Sequence, residues 1–95
     1  MADIVDLNSR RPTQYVLFWS ASIARGGRMY SLCVARQCDE ATPEEIIAEV
    51  MEADGIRLRA DDGGFFVIPW PCALVEVLTS EKPIKNGWHQ LSLPD

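Results

Sequence analysis

Ninety-five residues, 47% of them hydrophobic and 24% charged, suit one compact core and are too few for two domains. A chain of this size buries roughly 65% of the surface its unfolded form exposes, so its core needs neither a disulfide nor a metal to hold it. The longest run of apolar side chains, Phe65 to Val75, has eleven residues, contains Pro69 and Pro71, and falls short of the ~20 that span a bilayer, which excludes a membrane helix.

Cys33, Cys38 and Cys72 include no CxxC pair, and the opening MADIVDLNSRRP has no apolar leader, so a reducing, cytoplasmic setting is expected. The net charge of −5 is unevenly spread. Residues 1–38 sum to +3, residues 39–54 to −7 without a single base, and residues 55–95 to −1.

Residues 1–12 have no hydrophobic period and read as a flexible arm ahead of a single domain over 13–95. From Tyr15 the pattern has period two, and Gly26-Gly27 supplies a two-residue turn. A continuous hairpin then pairs Arg25 with Arg28, Ile23 with Tyr30 and Trp19 with Val34. One side becomes a core face of Tyr15, Leu17, Trp19, Ile23, Tyr30, Leu32 and Val34. The other side, which includes Ser20, Ser22, Ser31, Cys33 and Ala35, is small and uncharged. It is either covered by the chain's own C-terminal half, or half of a homodimer contact, or a docking surface.

ATPEEIIAEVMEADG, residues 41–55, carries helix signals in order: Thr42 as N-cap, Pro43 in the first turn, Glu45 closing a capping box, and Gly55 as the stop. The spacing predicts a helix over about 43–54, with Ile46, Ile47, Val50 and Met51 facing the sheet and Glu45, Glu49 and Glu52 facing outward. Residues 56–69 predict a second hairpin turning at Asp61 to Gly64. Trp70 is held extended between Pro69 and Pro71, and Leu74 to Thr79 suits a last strand or a short helix. From Glu81 the chain is polar and turn-rich. The fold class that follows is α+β: an antiparallel sheet of about five strands in the order β-β-α-β-β-β, with one helix on one face.

Three functional readings compete. Seven acids between Asp39 and Asp54, including Glu40, outnumber what the helix dipole explains at Glu44 and Glu45. They point to a non-catalytic module for a protein partner with a basic surface, with Trp70 and Trp88 as aromatic anchors. Small acidic domains of this kind serve phages and mobile elements as inhibitors of nucleic-acid-handling machinery, anti-restriction and anti-CRISPR proteins included, by surface occlusion; this is an analogy of class. The second reading is a DNA- or RNA-associated regulator that uses Arg25 and Arg28 at the hairpin tip and Arg10 and Arg11 on the arm, against which stands a pI near 4.7. The third is a thiol-dependent enzyme or metal protein built from Cys33, Cys38, Cys72 and the sole histidine, His89. Cys33 and Cys38 point to opposite sides of a regular strand and match no metal-ligand spacing, so no cofactor or metal is expected.

Overall fold

A computed structural model describes residues 12–91. Over these residues the fold is α+β, an antiparallel sheet of several strands with one helix. The elements are β1 (Thr13–Trp19), β2 (Ile23–Arg25), β3 (Arg28–Gln37), α1 (Pro43–Glu52), β4 (Gly55–Arg59), β5 (Phe65–Pro69), β6 (Leu74–Ser80) and β7 (Gly87–Gln90). The proposed arm over residues 1–12 lies outside the described residues except for Pro12. No helix of the described residues is long and apolar enough to cross a membrane.

β3 organises the main sheet. β1 and β2 pair with it in succession along one edge, β7 pairs along the other, and β6 pairs with the outer edge of β1. β4 and β5 form a separate two-stranded hairpin. Compared with the expected five-strand order, the residues past Glu81 add a strand of their own, because the β3 edge at Tyr30 to Cys33 offers unpaired backbone groups that Gly87–Gln90 satisfies. Leu74–Ser80 is a strand and not a helix.

The hairpin register corrects the sequence reading. Near the turn it is as expected, with Arg25 opposite Arg28 and Ile23 opposite Tyr30. Beyond Ser20–Ser22 the pairing slips by one: Trp19 lies opposite Cys33 and Phe18 opposite Val34. Three residues on one strand face two on the other, which is a β-bulge. Ser20 stabilises it. Its backbone N donates to the Leu32 carbonyl at 2.8 Å, its Oγ accepts from the Leu32 N at 2.9 Å, and its carbonyl accepts from Ser31 Oγ at 2.7 Å.

Because side chains alternate, a one-residue slip exchanges the faces. Val16 and Phe18, not Leu17 and Trp19, join Leu32 and Val34 in the main core, with Ile46 and Val50 of α1 and Ile68 of β5. Tyr15, Leu17 and Cys33 form a second core on the opposite face, packed by Trp19, Ala35, Leu78 and Ile84. That face is therefore not bare. Ile84 covers it, Ser31 and Cys33 are buried, and the Ala35 N–H donates to Asn86 Oδ1 at 2.7 Å. The small residues of β3 leave room for the large residues of β1 beside them and for the chain's own C-terminal segment above.

α1 begins as expected. Thr42 Oγ1 accepts from the Glu45 N at 3.2 Å and Glu45 Oε1 accepts from the Thr42 N at 3.4 Å, a complete capping box. The helix ends at Glu52, two residues short of the predicted 54: Ala53 caps it and Asp54 takes the left-handed conformation at φ 62°. Gly55 instead opens β4 at φ 130°, and a side chain there would run into the Ile68 carbonyl and lie 3.0 Å from the Pro69 Cα. Only glycine allows β5 to approach so closely.

Candidate functional site

All seven acidic residues from Asp39 to Asp54 are exposed. Ile46 and Val50 are turned inward and Ile47 is half-buried, which fixes the outward direction of Glu45, Glu49 and Glu52 by helical periodicity. Met51, placed with the apolar stripe in the sequence reading, is 51% exposed and borders the acids instead. Among the described residues one base reaches them: Arg36 Nη2 lies 3.1 Å from Glu49 Oε1. The pair is solvent-exposed and contributes at most about 1 kcal/mol.

From Glu44 to Glu52 four carboxylates span about 12 Å of helix axis, one per ~4 Å, against one phosphate per ~3.4 Å along a nucleic-acid strand. The acidic ridge thus presents negative charge at a density close to that of the polymer itself.

The aromatic residues separate. Trp70 is half-buried against the main core, where it closes the end of the helix and β4–β5 layer. Trp88 is 52% exposed and sits opposite Leu32 on β7. It belongs to the hairpin end of the sheet and lines a groove with Ile23, Arg25 and Tyr30. Arg10 and Arg11 lie outside the described residues.

Arg57 and Arg59 do not pair with the helix acids. The Arg57 guanidinium lies 4.1 Å from the centre of the Phe65 ring and that of Arg59 5.9 Å, on the outer face of β4–β5. Cross-strand pairing explains this, since Arg59 lies opposite Phe65 and Arg57 opposite Val67. Beside that hairpin a cleft of about 530 Å³ is lined by Arg59, Asp61, Asp62, Phe66, Lys85 and Asn86, with bases and acids balanced.

Cys33 and Cys38 show no activation. Cys33 is fully buried, and burial, reinforced by the Glu76 carboxylate, pushes its pKa up to about 11. Cys38 is also raised, by burial first and then by Asp39 and Glu44. A nucleophilic thiol requires a shift in the opposite direction. Strand register places His89 on the same face as Cys33, diagonal to it, but His89 Nε2 donates to the Lys85 carbonyl at 2.8 Å and its ring meets Trp19 edge-on at 5.4 Å. Cys38 packs on the opposite core from Cys33. Among the described residues no three His, Cys, Asp or Glu side chains cluster as a metal site would need.

The group of exposed Ile23 and Trp88 with half-buried Tyr30 was not visible in the sequence as a unit, because Trp88 reaches it only through the pairing of β7 with β3. Comparison with known proteins finds no matching family model, no matching curated protein and no matching solved structure.

Proposed function

We propose that the protein is a non-catalytic binding module that occupies a basic surface on a protein partner, using the outward carboxylates of α1 and of the preceding Asp39-Glu40 segment. The observation that carries this reading is that Glu45, Glu49 and Glu52 stand on the solvent side of α1 and that, among the described residues, one exposed ion pair, to Arg36, engages them. Helices stabilised for their own sake place Lys four residues from Glu, and α1 has no base at all. A partner that binds nucleic-acid phosphate offers the complementary surface, so occlusion of nucleic-acid-handling machinery is the role that fits, as in inhibitors carried by phages and mobile elements. The buried, proton-retaining Cys33 and the engaged His89 support a binding role over thiol chemistry.

The test is affinity capture by the immobilised full chain and by the triple variant Glu45→Gln, Glu49→Gln, Glu52→Gln, at low and at high salt. A basic partner retained by the parent at low salt, and lost both by the variant and at high salt, is expected. Equal and salt-insensitive capture by both proteins would contradict the reading.

A further inference from the structure

The end of β3 remote from Arg36 carries a surface of different chemistry. Arg25 and Arg28 are directly opposed across the Gly26-Gly27 turn, and alternation puts them on the same side as Ile23, Tyr30 and Trp88. Further along the sheet this side is covered by α1 and β4–β5 at Phe18 and Val34. Towards the turn that layer ends. Ile23 is 46% exposed, Trp88 is half in solvent, and the groove they form with Arg25 and Tyr30 measures about 380 Å³.

The opposed arginines do not stabilise the hairpin. Like charges directly opposite one another destabilise a strand pair, and among the described residues neither arginine has a carboxylate within ion-pair distance, the one such pair being Arg36 with Glu49. Exposed Trp and Ile beside twin guanidinium groups instead offer flat apolar contact and anion binding together.

We propose that this groove binds single-stranded nucleic acid, with a base stacked on Trp88 and Tyr30 and the adjoining phosphates held by Arg25 and Arg28. Aromatic faces accept any unpaired base, and guanidinium forks fit phosphate oxygens. The acidic total does not oppose this. Arg28 and Arg36 are eight residues apart on one strand, about 26 Å at ~3.3 Å per residue, and Arg36 marks where the acidic helix begins through its contact with Glu49. At physiological salt charges are screened over ~8 Å, so the ridge contributes little potential at the tip. The inference is independent of the proposed function: it concerns the opposite end of the molecule.

The experiment is fluorescence anisotropy of labelled oligo-dT and oligo-U, with a duplex of equal length, titrated with the full chain at low salt and at fourfold higher salt. Single strands are expected to bind and the duplex to bind more weakly. If two phosphates are neutralised, at a slope of about −0.7 per phosphate, fourfold more salt weakens binding about 7-fold. Trp88→Ala is expected to weaken it about 5- to 150-fold, the range that loss of one stacked base produces. Arg25→Gln with Arg28→Gln is expected to remove most of the salt dependence while leaving the unfolding midpoint at or above the parent's, since it relieves the opposed charges, and the unfolding midpoint of Trp88→Ala shows that the variant is folded at the temperature of the titration. The Glu45, Glu49, Glu52 triple Gln variant should bind single strands as the parent does, so loss of one activity is readily told from loss of the other. No binding to either single strand at low salt, or undiminished binding by Trp88→Ala, would overturn the proposal. So would capture of an acidic or proline-rich peptide in the groove without single-strand binding.

Discussion

The bulge at Ser20–Ser22 decides which half of the first strand is core, and a double-mutant cycle between Phe18 and Val34 measures it. Phe18 is completely buried and lies opposite Val34 on the helix side of the sheet. Truncation to alanine would cost about 3–5 kcal/mol, a large share of the ~5–14 kcal/mol expected for a chain of this length. Phe18→Leu at ~1–2 kcal/mol and Val34→Ala at ~2 kcal/mol leave enough stability to follow. Urea unfolding read by tryptophan fluorescence resolves these changes, since 1.5 kcal/mol moves the midpoint by roughly 0.7 M at a slope of ~2 kcal/mol/M. The two substitutions should couple by at least ~0.5 kcal/mol because the side chains share one packing site. Trp19→Phe with Val34→Ala, partners in a hairpin without the bulge, should add independently. Coupling for Trp19 and none for Phe18 would refute the register and with it the assignment of faces.

Gly55→Ala should destabilise by about 1–3 kcal/mol in the same assay, since its φ of 130° and the adjacent Ile68 carbonyl both exclude a side chain; a neutral outcome would mean that β5 does not pack against β4 as described. Thr42→Ala should cost about 1 kcal/mol by removing the capping box, seen as a lower midpoint with unchanged slope. Cys33 predicts a pH dependence. Its folded pKa, raised by burial to about 11 from an ordinary 9.0, means that the thiol's contribution is fully present below pH 9 and is lost as pH rises through 11. Between those values the parent should lose on the order of 2 kcal/mol more than Cys33→Ala; superimposable pH profiles would contradict that burial. In the native state at pH 8, Cys33 should resist alkylation and react only on unfolding.

Much of this fold was legible because its signals are local. Thr42, Pro43 and Glu45 stand at the fixed offsets of a capping box, and Gly26-Gly27 supplies the positive φ that a tight hairpin turn needs, so α1 and the tip pairing of Ile23 with Tyr30 follow from sequence alone. The bulge did not, because Trp19-Ser20-Ala21-Ser22-Ile23 keeps an unbroken apolar-polar alternation that reads as a regular strand; only in the folded ladder does Ser20 Oγ take the place of a backbone partner. Missing that single residue inverted the faces of Val16 to Trp19. β7 was hidden for a different reason. Gly87–Gln90 is short and has no apolar period, and it becomes a strand because β3 has a free edge, which is a property of the assembled sheet. At the candidate site, the outward Glu45, Glu49 and Glu52 were readable from helical spacing, whereas Arg36 on Glu49 and Trp88 beside Tyr30 are tertiary encounters between segments distant in sequence.

Carboxyl footprinting of the captured complex bears most directly on the acidic ridge. With carbodiimide-driven labelling read by mass spectrometry, Glu45, Glu49 and Glu52 should be protected when the basic partner is bound, while Glu76 on β6 and Glu81 just beyond it label as in the free protein. Unchanged labelling along α1 in a complex that has nonetheless formed would show that the partner is held elsewhere.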